Sequence, residues 1–168
     1  MIKERAISPD GYVKDQDYTD DILYGVYPSS HNGCGWIACY NMLHALDMAD
    51  SPEEQLARML EILPYKGRRG TPFPTVAQFF RRAGVPVQRH YGSARILLKY
   101  REAPCGILRY AEEGVPHYIT FVKTGTQRYR FFNVADGLED FETDMESFIR
   151  GRVTNRKLLV RLLIPGKR

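Results

Sequence analysis

Residues Cys34 to Met48, CGWIACYNMLHALDM, contain no proline, and their sole glycine, Gly35, lies in the first turn. Wound at 3.6 residues per turn, this stretch is apolar on nearly every side, with a thin polar strip at Asn41 and His44. A helix of that kind offers water no polar face, so the rest of the chain must enclose it. With 168 residues the chain is long enough to do so; a domain of this size buries roughly 70% of its unfolded surface and needs no disulfide or metal to fold. Its composition, 43% hydrophobic and 26% charged, is globular. Residues 1–168 are therefore read as one domain, with 1–24 as an N-terminal arm carrying little periodicity.

Further elements follow from local signals. Ser51-Pro52-Glu53-Glu54 predicts a helix start, with Ser51 as N-cap, Pro52 in the first turn and Glu54 closing a capping box; Leu56, Met59, Leu60 and Leu63 then line one face until Pro64. After a Gly/Pro-rich loop from Lys66 to Pro74, a third helix is expected over Thr75–Ala83, ended by Gly84, then a strand over Val85–Tyr91 and a weaker helix over Ala94–Arg101. From Cys105 the period changes. Cys105–Tyr110, Tyr118–Lys123, Arg128–Val134 and Lys157–Ile164 read as strands, with a hairpin at Gly125 and a short helix over Asp144–Arg150 before the last. Helices first and strands afterwards predict an α+β domain: N-terminal helices, one of them buried, packed on a C-terminal antiparallel sheet.

Charge and cysteine usage narrow the function classes. The net charge of +4 is mixed rather than striped, so a nucleic-acid partner is not expected. No apolar run approaches the length that spans a bilayer, and Met1-Ile2-Lys3-Glu4-Arg5 has no signal-like apolar segment behind it, so membrane insertion is not expected and a cytoplasmic location is the default. Three cysteines cannot form a fully paired framework and favour a reducing compartment. Cys-x-x-Cys, His-x-x-x-His, Walker and dinucleotide patterns are missing from the sequence, so neither a metal nor a cofactor is expected. Oligomeric state is not written in these residues.

The sharpest chemical feature is Asn32-Gly33-Cys34-Gly35 at the head of the buried helix. A thiol there lies in the positive end of the helix dipole, which favours the nucleophilic thiolate. The flanking glycines leave room for a substrate carbonyl, and the Cys34 N–H points where an oxyanion would form. Cys39 and Cys105 fall inside apolar elements and read as packing residues. A thiol nucleophile needs a base, and the histidines are His31, His44, His90 and His117. His117, opening an apolar strand, is carried on rigid backbone; His31 sits in a loop, His44 inside the helix and His90 at a strand end. Sixteen positions on, Asn133 returns beside His117 if the Gly125 hairpin forms, as an orienter of the imidazole. Asp136 is the competing orienter, with turn-making beside Gly137 as its alternative role.

Gly33-Cys34-Gly35 on a long helix, then His117-Tyr118 on a strand and Asn133 on the next, resembles the papain-like cysteine peptidase superfamily. Within it, the chain is most similar to the small bacterial peptidases related to double-glycine (bacteriocin) leader peptidases. The segments Gly70-Thr71-Pro72 and Ala83-Gly84-Val85 resemble the helix-then-strand insert common there, and the likeness spans roughly residues 25–165. The resemblance implies a papain-like fold, Cys34 as nucleophile, His117 as general base and acid, and Asn133 as orienter. It also implies a peptide or protein substrate and a cysteine-dependent hydrolase or acyl transferase that attacks a peptide or amide bond through a thioester acyl-enzyme. The chain departs from the family where a glutamine usually stands, about six residues before the cysteine: that position is Pro28, which has no donor. Asn32, Ser30, Ser29, His31 and Tyr27 are the candidate substitutes for the oxyanion hole. The departure motivates a second reading, a degenerate cleft that binds a peptide without cleaving it.

Overall fold

The computed structural model describes residues 2–112, 114–135, 140–153 and 160–166. In chain order the elements are β1 (Leu23–Tyr24), β2 (Tyr27–Pro28), α1 (Ser29–Asn32), α2 (Cys34–Ala45), α3 (Pro52–Leu60), α4 (Phe73–Arg82), β3 (Val87–Gly92), α5 (Ile96–Lys99), β4 (Cys105–Glu112), β5 (Val115–Gly125), β6 (Arg128–Phe132), β7 (Asp140–Thr143), α6 (Met145–Arg152) and β8 (Val160–Pro165), with 3-10 turns at Glu4–Ala6, Gln16–Thr19 and Pro64–Gly67.

Helix α2 is the enclosed element its sequence requires: every residue from Gly35 to Leu43 is buried. Each large apolar side chain so buried contributes about 1.5–3 kcal/mol. The helix stops at Ala45, short of Met48, because Asp47 turns left-handed (φ 54°) and the Met48 N–H closes back on the Leu43 carbonyl. The polar strip finds partners. Asn41 accepts from the Val13 N–H and donates to the Val13 carbonyl, and a His44 ring nitrogen lies 2.7 Å from the Asp10 carbonyl. Ser51 and Glu54 form the expected capping box on α3.

The six-stranded sheet has the order β3-β8-β4-β5-β6-β7, and every pairing is antiparallel. Because side chains alternate across a strand, the sheet has two buried faces. One carries Cys105, Ile107, Tyr118 and Leu163 and packs under α2, α3 and α4. The other carries Leu108, Ile119, Phe121, Phe131, Leu162 and Ile164 and packs under α5 and α6. The Gly125 hairpin forms, with Gln127 left-handed in its turn. Strand β6 ends at Phe132, so Asn133 lies just past it, and β7 joins as an edge that its short polar sequence had not suggested. Residues 157–159 of the expected last strand fall outside the described residues.

The N-terminal arm is part of the core, which corrects its reading as a loosely patterned extension. Ala6, Val13 and Tyr24 are fully buried in the α2-side core. Asn41 pins Val13 as a strand partner would, and the Asn133 N–H donates to the Lys14 carbonyl. Arg130 on β6 binds Asp10 from the arm and Asp140 from β7 together.

Candidate active site

Cys34 is the first residue of α2, half-buried, in a cleft of about 330 Å³ bounded by the α1–α2 junction, the Arg68–Thr71 loop and the start of β5. Its neighbours explain the glycines, and the explanation differs from the sequence reading. A Cβ on Gly33 would stand 2.1 Å from Ser29 Oγ, and one on Gly35 would stand 2.2 Å from Thr71 Oγ1. The glycines let those two segments close against the helix start rather than keep space for substrate. Thr71 is pinned there: Tyr24 Oη lies 2.8 Å from its hydroxyl, and Tyr118 Oη donates to its carbonyl at 2.9 Å.

His117, on β5, lines the same cleft, close enough for its hydrogen bonding and charge to lower the Cys34 thiol pKa. Its Nε2 lies 2.6 Å from the main-chain carbonyl oxygen of Asn133. A carbonyl can only accept, so Nε2 carries the proton and Nδ1 is the nitrogen left to face the sulfur. The sequence assigned this contact to the Asn133 side chain; that is corrected here. The Asn133 side chain points instead to Gln16, its Oδ1 accepting from the Gln16 N–H and its Nδ2 donating to Gln16 Oε1. Asn133 has φ 62°, a left-handed conformation that asparagine tolerates better than most residues. Asp136 lies outside the described residues. The other histidines are engaged elsewhere, His44 at the arm and His90 stacked on Tyr100 at 3.9 Å, while His31 lines the cleft beside Tyr27.

Three cysteines in one chain have three different environments. Burial pushes the Cys34 thiol up, but the hydrogen bond and charge of His117, the Tyr118 backbone and the Arg109 charge outweigh it and leave Cys34 below its ordinary value. Burial without compensation drives Cys39 far up and Cys105 to about 12. Of the three thiols Cys34 alone has its pKa held down, which favours its thiolate over those of Cys39 and Cys105. Among the described residues no group of three His, Cys, Asp or Glu side chains is placed to hold a metal ion, and no helix is long and apolar enough to cross a membrane.

No family model matches the sequence, and no curated protein does. Solved structures do. The chain superposes on the peptidase domain of Streptococcus ComA, a bi-functional ABC transporter involved in a quorum sensing pathway. The TM-score is 0.53 at 13% identity, over 81% of this chain and 93% of that one. It also superposes on a double glycine motif protease from an AMS/PCAT transporter, solved in complex with the leader peptide, with a TM-score of 0.51 at 18% identity over 79% and 84% of the two chains. The fold is papain-like.

Within this papain-like fold the five candidate oxyanion donors divide. Ser29 is fully buried and its hydroxyl accepts from Trp36 Nε1. Ser30 is not among the residues lining the cleft, and its carbonyl is taken by a side chain from the arm. Neither is among the residues that line the cleft. Tyr27, His31 and Asn32 line the cleft, but the Asn32 amide donates to the Gly67 carbonyl. The residue that sequence reasoning missed is Gln16. It lines the cleft with Cys34, and its Nε2 donates to the Ser30 carbonyl at 2.8 Å while Asn133 holds its Oε1. The second amide hydrogen of Gln16 is not used in either bond. Gln16 stands eighteen positions before Cys34, not six; its being a glutamine was the available signal, and its distance concealed it.

Proposed function

We propose that the chain is a cysteine-dependent hydrolase acting on a peptide or amide bond. The observation that carries this reading is the pairing of a helix-N-terminal thiol, held below its ordinary pKa, with an imidazole whose far nitrogen is fixed by a carbonyl. The Cys34 thiolate attacks the carbonyl carbon. The oxyanion is received by the Cys34 N–H and the free amide hydrogen of Gln16. His117 gives its Nδ1 proton to the leaving amine, producing a thioester, then takes a proton from water, which attacks the thioester and frees the acid and the Cys34 thiolate. Asn133 positions two partners at once, His117 through its carbonyl and Gln16 through its amide. The papain-like fold shared with double-glycine peptidase domains supports a peptide substrate.

The test is selective alkylation followed by trapping. Iodoacetamide is expected to label Cys34 well ahead of Cys39 and Cys105 at pH 6–7, and mass spectrometry of protein mixed with an activated ester is expected to show one acyl group on Cys34. Equal, slow labelling of the three thiols overturns the reading, as does a cognate peptide bound and recovered intact, the behaviour of a cleft that binds without cleaving.

A further inference from the structure

Strands β4 and β8 set two arginines directly opposite each other, Arg109 and Arg161. Arg109 is in turn opposite Tyr118 on β5, and Arg161 opposite Tyr91 on β3. A row Tyr91–Arg161–Arg109–Tyr118 therefore crosses four strands. Like charges facing each other across a sheet are destabilising, and among the described residues neither arginine forms an ion pair. Aromatic rings take the place of carboxylates. The Arg109 guanidinium carbon lies 5.6 Å from the Tyr118 ring centroid, and that of Arg161 lies 5.7 Å from both Phe73 and Tyr91. Rings steady a cation but offer no lone pair to its N–H groups. Arg109 Nε is buried with no acceptor among the described residues.

The position of this pair makes it more than a strained feature. Arg109 lines the cleft with Cys34 and His117, Arg68 and Arg69 line it from the facing loop, and among the described residues no Asp or Glu lines it. The charge of Arg109 is felt at Cys34, and the charges of both strand arginines at Tyr118. A half-closed cleft lined by one sign of charge focuses the field on an incoming anion. A guanidinium with free donors matches a carboxylate in bidentate geometry.

We propose that the cleft receives a carboxylate of the substrate beside the bond to be broken, bound by Arg109 with Arg161 reinforcing it. This rests on the hydrolase reading of the same cleft. The carboxylate is the C-terminal group of a peptide or the side chain of an Asp or Glu.

Iodoacetate and iodoacetamide test it directly, because they deliver the same carbon to the same sulfur with and without a carboxylate. The ratio of their rate constants at Cys34 is expected to exceed the ratio for glutathione at least tenfold, and to shrink in 0.5 M NaCl. Arg109→Gln is expected to return the ratio to that of glutathione, Arg109→Lys to keep part of the gain, and Arg161→Gln to lower it about threefold. If Cys34 is labelled rapidly by iodoacetamide with a ratio no higher than that of glutathione, the carboxylate site is overturned and the hydrolase reading stands. If both reagents label Cys34 no faster than Cys39 or Cys105, the hydrolase reading fails and takes the site with it. Hydrolysis of a peptide library, amidated or free at its C-terminus and carrying Asp or Asn at each position, separates the sources. A preference lost on amidation assigns the terminal carboxylate, one lost on Asp-to-Asn exchange assigns the side chain, and no preference in either arm overturns the proposal.

Discussion

The two faces of the sheet are built differently. Beneath α6 the core is aromatic: Phe131 and Phe148 stack with centroids 4.1 Å apart and planes 6° from parallel, with Phe141, Phe121 and Tyr129 around them. Beneath α2 the core is threaded with polar groups: Asn41 bonds the arm, Thr120 donates to the Ala38 carbonyl, and Tyr24 and Tyr118 hold Thr71. The first face supplies stability through packing, and the second spends its side chains on placing loops around Cys34. Packing and the placing of loops around Cys34 are thereby weighted to opposite faces of one sheet, with His117 at the start of β5 touching the aromatic side through Tyr110, so substitutions deep in each face should have separable effects.

That separation can be broken or sharpened in order of expected effect. Cys34→Ser or His117→Ala should lower peptide hydrolysis by more than about a thousandfold, while urea denaturation stays within about 1 kcal/mol of the parent; a large stability loss would join the two faces. Phe148→Ala should do the reverse, costing about 3–5 kcal/mol in the same denaturation experiment with the pH profile of Cys34 alkylation preserved. Gln16→Ala should lower kcat about a hundred- to thousandfold if its amide meets the oxyanion, with KM little changed.

Asn133 gives a finer test. Replacing a side-chain orienter in a catalytic triad costs about ten-thousandfold. Asn133→Gly keeps the carbonyl and the left-handed backbone, so hydrolysis should fall only about tenfold, through Gln16. A triad-sized loss would mean that the side chain, not the carbonyl, orients His117. The smallest shift concerns pH. A group whose folded pKa is depressed holds its charge to lower pH, so the rate of Cys34 alkylation should rise with a midpoint below the ordinary thiol value of about 8.5. In His117→Ala the midpoint should move upward, because burial then acts with its largest counterweight gone.

What the sequence disclosed and what it hid follow from the same physics. The enclosed helix, the Ser51 cap and the Gly125 hairpin are local patterns, and they appear within a few residues of their expected bounds. The candidate pair Cys34 and His117 was legible because both the reactive groups and the elements carrying them show in residue type. The arm was opaque because its anchors are backbone groups met by Asn41 and Asn133, far along the chain, which leave no periodicity. Gln16 was hidden for that reason too. Arg109 and Arg161 read as members of apolar strands; only pairing register makes them neighbours.

The carbonyl of Asn133 that steadies His117 carries one more lesson. Every amino acid has a carbonyl, so this prop survives any mutation that preserves the bend of the chain. A search for relatives that insists on asparagine or aspartate after the histidine will pass over chains built this way. A search for the bend itself, a left-handed residue just beyond the strand that follows the histidine strand, will collect them.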